Sequence, residues 1–199
     1  MSGVSKAIVQ PLLSWYDAGH RDLPWRSEPA PYRVWVSEIM LQQTRVEAVR
    51  GYFSRWMNAL PDIPALAAAD EAVYTKLWEG LGYYSRVRNL HRAAVLLCEE
   101  YGGELPADYD RLLALPGVGE YTAGAVASIA FGLPVPAVDG NVLRVAARLD
   151  NNFTPITDAK FKKQTRERFA ALMPSDRRPQ PVADGAWSNR LSAERRAAL

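Results

Sequence analysis

Cysteine is nearly missing from this 199-residue chain, which holds Cys98 and no other. A lone thiol cannot close an internal disulfide, and it cannot build a cysteine metal site. On a stretch with helical spacing, Cys98 reads as a small core residue. Long apolar runs are also missing: none reaches about eighteen residues, so no membrane span is expected. The N-terminus lacks the basic-then-apolar pattern of a secretory signal, and a cytoplasmic location is expected. Alternating strand patterns and internal repeats are absent. What remains is a chain that is 48% hydrophobic, enough for a sizeable core in one domain or two small lobes.

The net charge is only +2, but it is unevenly spread. Residues 1–150 carry 14 Lys/Arg against 17 Asp/Glu, and residues 151–199 carry 10 against 5. A basic end can bind nucleic acid, and it can equally be a solvated helix face.

The periodicity is helical throughout. Helices are expected over 4–17, 32–43, 46–60, 84–101, 108–113, 121–131, 142–149 and 159–173, with two short ones between 61 and 80. Asp70 reads as an N-cap, and Gly102-Gly103 closes the long helix before it. Thr44 reads as a break or cap. HRDLPWRSEPAPY, from His20 to Tyr32, is proline-rich and reads as irregular. Short loops between helices predict an all-α fold. After Met173 the composition turns proline- and charge-rich, and Ala186–Leu199 reads as either a terminal helix or a disordered tail.

Two segments about a hundred residues apart carry the chemistry. In the first, VWVSEIMLQQT, Glu38 sits among Val34, Trp35, Val36, Ile39, Met40 and Leu41. A carboxyl group in so apolar a helix is either at a surface position or desolvated, and desolvation would keep part of it protonated near neutral pH. In the second, LPGVGEYTAG, Pro116 fixes its own backbone while Gly117 and Gly119 permit a tight turn around Val118. Such a turn, opening a helix, leaves amides free to hold a phosphate without reading sequence. It is followed by VDGNV, where Asp139 reads as a plain N-cap or as an ionised catalytic carboxylate, two compatible roles. A protonated glutamic acid facing an ionised aspartate is a division of labour that suits glycosidic bonds.

On LPWR, PYRVWVSEIMLQQT, LWEGLGYYSRVRNLH, LPGVGEYTAGAVASIAFG and VDGNVLRV, the chain resembles the helix-hairpin-helix DNA glycosylases, specifically the MutY-type adenine glycosylases. The matching stretches span about residues 10–150. The resemblance implies a six-helix barrel lobe over 22–133, with the hairpin motif at about 108–131. A second helical lobe would come from 1–21 and 134–175, leaving 176–199 as an atypical tail. It implies that Glu38 protonates adenine N7 and helps activate water, and that Asp139 stabilises the oxocarbenium-like sugar. Tyr121 and Asn141 match positions that hydrogen-bond in the catalytic site. Trp25, Arg26 and Leu41 match the adenine pocket. Gln42, Gln43, Thr44, Leu81 and Tyr83 match positions that touch or wedge into the duplex, with Gly117, Val118 and Gly119 on the phosphate backbone. A flipped base leaves a gap in the stack that an inserted side chain fills.

Bifunctional relatives carry a lysine where this chain has Tyr121, and a tyrosine cannot form a Schiff base, so base removal without strand cleavage is expected. The implied partner is double-stranded DNA holding an A:8-oxoguanine or A:G mispair, bound by a monomer near the nucleoid. Typical family members continue with four cysteines spaced C-x6-C-x2-C-x5-C that hold a [4Fe–4S] cluster. They then add a C-terminal domain that helps recognise 8-oxoguanine. With Cys98 alone, no cluster and no metal are expected. The change after Asp176 reads as a truncated or frameshifted product in preference to a compact cluster-free variant. Two rivals stand beside the adenine reading: a DNA-binding module that no longer cuts, and a sister enzyme for thymine or oxidised pyrimidines.

Overall fold

The computed structural model describes residues 6–173. The sequence-based expectations for residues 1–5 and for the tail lie outside the described residues. Among the described residues there are eleven α-helices, one 3-10 turn and no strand. The helices are α1 (Val9–Gly19), α2 (Pro24–Ser27), α3 (Pro31–Leu41), α4 (Val46–Ala59), α5 (Ile63–Ala67) and α6 (Glu71–Trp78). They continue with α7 (Ser85–Tyr101), α8 (Tyr109–Leu113), α9 (Glu120–Phe131), α10 (Gly140–Leu149) and α11 (Ala159–Leu172).

Two local expectations are corrected. The proline-rich stretch is not wholly irregular, because Pro24 sits in the first turn of α2, where its fixed φ favours a helix and its missing N–H costs nothing. Asp70 occupies the N-cap position of α6, but its side chain makes no capping hydrogen bond. Asp62 caps α5 instead, accepting from the Ala65 amide at 2.8 Å. Gly102 ends α7 in the left-handed region at φ +63°, where a residue with a Cβ would be strained.

One core runs through α2–α9, and Trp35, Phe53, Trp56 and Trp78 are fully enclosed in it. Trp56 meets Trp78 edge-on with ring centres 5.5 Å apart. Two of the polar groups buried there pair with each other. The Tyr32 hydroxyl accepts from Trp56 Nε1 at 3.0 Å and donates to the Leu60 carbonyl at 2.9 Å. Helix α3 lies in the middle, with Tyr32, Val34, Trp35, Val36, Ser37, Ile39 and Met40 all buried. It packs along α4 and α9.

The remaining helices are less enclosed. Leu143, Ala146 and Phe161 are the buried apolar residues of α10 and α11. Arg166 ties α11 to Glu120 at the start of α9, and Arg168 reaches Asp150 at 2.5 Å. Helix α1 buries no residue and leaves Leu12 and Trp15 exposed.

The connector between α9 and α10 folds back on α9 at Gly124. A Cβ placed there would stand 2.8 Å from the Pro136 carbonyl oxygen and 3.3 Å from Ala137 Cα. Both contacts are backbone, so the connector itself would have to move. Gly124→Ala is therefore expected to destabilise the fold by about 1–3 kcal/mol, the usual cost of overpacking. Chemical denaturation of the two proteins checks this, and a loss within measurement error would contradict the close approach.

Candidate active site and nucleic-acid interface

Glu38 is half-buried on a helix whose neighbouring positions are buried. Its carboxyl lies near Tyr121 of α9, Arg26 of α2 and Asp139 at the cap of α10. Burial pushes its pKa up. The Tyr121 hydroxyl hydrogen-bonds to it and the Arg26 guanidinium lies near, and both pull the other way. Asp139 adds a smaller upward push through its charge. The four groups therefore share one electrostatic neighbourhood although they come from α2, α3, α9 and the cap of α10.

Tyr121 keeps 38% of its surface open while its hydroxyl turns inward to Glu38. Its own pKa is pushed far above the ordinary range by burial, then by the Glu38 and Asp139 charges. The phenol therefore stays a hydrogen-bond donor across physiological pH.

Asp139 does what an N-cap does. One carboxylate oxygen accepts from the Val142 amide at 2.8 Å, and the other accepts from Asn141 Nδ2 at 2.7 Å. The Asn141 side-chain oxygen in turn accepts from Arg144. This chain of bonds fixes the direction of the Asp139 side chain. Asn141 thus orients Asp139. The resting place of the connector on Gly124 brings Asp139 back toward Tyr121.

The hairpin forms the tight turn expected of it. Gly117 has φ +75°, and an added Cβ would meet Asn89 Cβ at 2.7 Å. The Val118 amide closes the turn on the Leu115 carbonyl at 3.1 Å, and Val118 is buried. Gly119 is the N-cap of α9 and brings no capping side chain. The first-turn amides therefore face outward, as an anion site requires. Glu120 would repel an anion there, but Arg166 binds it and holds its carboxyl below the usual range, with Lys162 close by.

The positions expected to face a duplex divide in two. Gln43 and Tyr83 are exposed, Tyr83 to 62%, and both have left-handed backbones with φ +57° and +46°. Few residues other than glycine adopt that region. Leu81, in contrast, is 6% exposed and packs into the core. Gln42 donates to Thr122 Oγ1 at 3.3 Å, tying the end of α3 to α9. Thr44 Oγ1 donates to the Gln42 carbonyl at 3.3 Å. In the pocket set, Leu41 is partly buried against the core, and Arg26 is exposed beside Glu38. Trp25 is 5% exposed, edge-on to Phe53 with ring centres 5.4 Å apart. It packs in the hydrophobic core.

Sequence reasoning missed Arg86, which is buried and binds backbone carbonyls on both sides of this surface. Only the company it keeps in GLGYYSR hinted at it. Among the described residues, no group of three or more His, Cys, Asp or Glu can hold a metal. Burial pushes the Cys98 thiol up, away from a ligand's thiolate form. One cysteine cannot supply the ligands of an iron–sulfur cluster, so the residues present do not fit that group.

Known proteins resemble this chain in sequence and fold. A family model described as HhH-GPD superfamily base excision DNA repair protein matches residues 36–171. An adenine DNA glycosylase of Mus musculus is 52% identical over 147 residues, covering 69% of this chain and 28% of the mouse protein. An adenine DNA glycosylase of Mycolicibacterium smegmatis (strain ATCC 700084 / mc(2)155) is 44% identical over 166 residues, covering 83% of this chain and 56% of its own. The chain thus spans between 28% and 56% of the length of these two relatives. Among solved structures, a thermostable thymine-DNA glycosylase superposes with a TM-score of 0.74 at 27% identity, covering 86% of this chain and 79% of the other. A non-covalent endonuclease III–DNA complex superposes at 0.71 and 25% identity, covering 88% and 81%. The chain belongs to the HhH-GPD superfamily of base excision DNA repair proteins.

Proposed function

We propose that this chain binds double-stranded DNA and hydrolyses the N-glycosidic bond of adenine mispaired with 8-oxoguanine or guanine. The observation that carries the reading is the electrostatic cluster of Glu38, Tyr121 and Asp139 beside an amide-lined hairpin. The names of the relatives, adenine DNA glycosylases, support the choice of base.

In this scheme the flipped adenine enters beside Glu38. Desolvation keeps part of Glu38 protonated, and the proton passes to adenine N7 as the bond to the sugar breaks. The bonding electron pair leaves with the base, and positive charge builds on the sugar. Asp139, directed by its place at the helix cap, stabilises that charge. Glu38, now a carboxylate, takes a proton from water as the oxygen adds to the sugar carbon, which regenerates the acid. Tyr121 donates to Glu38 throughout. Because it is not an amine, it opens no Schiff-base route, and strand cleavage is not part of the reaction. One cysteine cannot ligate a [4Fe–4S] cluster, so the chemistry is proposed to run on side chains.

The second reading, a DNA-binding module without base release, draws on one observation. Among the described residues, helices α1 and α10 leave Leu12, Trp15 and Val145 uncovered. Single-turnover assays beside binding assays separate the two: tight binding of an A:8-oxoguanine duplex with no adenine released would favour it.

Two outcomes test the chemistry. Glu38→Gln keeps the shape but removes the proton, and Asp139→Asn still caps α10 but removes the charge. Each is expected to lower single-turnover adenine release by at least about a hundredfold with the duplex still bound. Full release by either variant would remove that residue from the mechanism. The pH profile tests the wiring. Release by the wild-type chain should fall as pH rises through the Glu38 pKa, since only the protonated acid donates. The Tyr121 hydrogen bond stabilises the Glu38 carboxylate, so Tyr121→Phe should raise that pKa and move the falling limb to higher pH. A limb that stays in place, or moves to lower pH, would contradict the Tyr121–Glu38 bond.

A further inference from the structure

Arg86 is an arginine in the interior, 9% exposed, with no carboxylate among its hydrogen-bond partners in the described residues. Its hydrogen-bond partners are backbone carbonyls and one hydroxyl. Nη1 donates to the carbonyls of Ile39 at 3.0 Å and Met40 at 3.1 Å, and to that of Gln42. Nη2 donates to the carbonyls of Leu81 at 2.9 Å and Gly82 at 3.3 Å. Both nitrogens lie 3.4 Å from Thr44 Oγ1. The guanidinium also sits over the Trp78 ring at 5.3 Å and the Tyr83 ring at 5.5 Å.

These acceptors have a pattern. Ile39 and Met40 are in the last turn of α3, where helix carbonyls lack amide partners. Glycine usually closes such an end, but Gln42 and Gln43 follow here. Leu81 and Gly82 form the turn that leads into α7. Each set of carbonyls ends one residue before an exposed residue with a left-handed backbone, Gln43 on one side and Tyr83 on the other. One planar fork therefore holds two strained turns from segments about forty residues apart. The same cation grips α3 immediately beyond Glu38.

We infer that Arg86 is a positioning residue that locks the Gln43 turn and the Tyr83 turn into one rigid element, which opens the duplex while the target base is extruded. This rests on the reading that this face engages DNA. It adds a part that neither touches the base nor supplies a proton. Lysine cannot replace it, because a single ammonium group lacks the fork that reaches both sets of carbonyls.

The test uses the full chain and Arg86→Lys. In the free protein, hydrogen exchange at 42–44 and 81–83 should quicken together, by about tenfold or more, while the hairpin at 117–119 keeps its rate. With a duplex carrying 2-aminopurine beside the mispaired adenine, the fluorescence rise on saturating binding should fall several-fold. The pH profile of whatever release remains should stay where the wild type has it, because Glu38 keeps its surroundings. Unchanged exchange in Arg86→Lys, or exchange that quickens in one turn alone, would overturn the inference. If Arg86→Lys does not fold, Gln43→Ala and Tyr83→Ala decide the matter with Arg86 intact. Their effects on 2-aminopurine fluorescence should be non-additive, and additive effects would overturn the inference. The exchange arm needs no DNA. A wild-type chain that releases no adenine but shows linked exchange would count against the proposed reaction and leave the Arg86 lock standing.

Discussion

Glu38 lies between Ser37 and Ile39 on a helix whose residues around it are buried. Water is largely removed from one side of its carboxyl, and a desolvated carboxyl resists ionisation. The surrounding groups adjust that tendency without cancelling it. Tyr121 and Arg26 stabilise the charged form, while Asp139 opposes it. An acid that both gives and retakes a proton needs this intermediate condition, because a fully exposed glutamate would have lost its proton by neutral pH. The packing serves the same end. Helices α4 and α9 enclose α3, and the aromatic core keeps α3 in one position.

The site is assembled by backbone as much as by side chains. Asp139 comes within electrostatic reach of Glu38 because the connector before it rests directly on Gly124. Its direction follows from the cap of α10 and from Asn141. The hairpin is likewise a backbone device, with Gly117 making the turn and Gly119 leaving the α9 amides uncapped. The acid on α3 and the exposed turn after α3 are held by different partners. Tyr121 and Arg26 serve the first, and Arg86 serves the second. In the proposed reaction, a change in duplex contact can therefore be separated from a change in proton transfer.

Much of this was legible in the residues, for stated physical reasons. Helical periodicity located α3, α4, α7 and α9 because their apolar faces are dense. Asp139 read as a cap and is one, since capping is a local property of two or three residues. Glu38 stood out as the one charge in its apolar stretch. What escaped depends on tertiary distance. Asp62 and Asp70 both precede short helices, and nothing local says which one bonds its helix. Leu81 and Trp25 sit in motifs associated with DNA and base contact, yet their burial follows from packing against distant residues. Arg86 was hardest to see, because its partners are carbonyls, which every residue has, 44 to 47 positions away or in the turn before it. No side-chain pattern marks such a set.

The whole account depends on Glu38 being held partly protonated by its surroundings. A direct titration of that one carboxyl in the folded, DNA-free chain measures this. It can be done by carbon-13 NMR of labelled glutamate, assigned by comparison with Glu38→Gln. The account predicts a midpoint above that of an ordinary glutamate, moving higher still in Tyr121→Phe. A midpoint at or below the ordinary value would contradict it, because the carboxyl would then be solvated or fully paired and unable to serve as the acid.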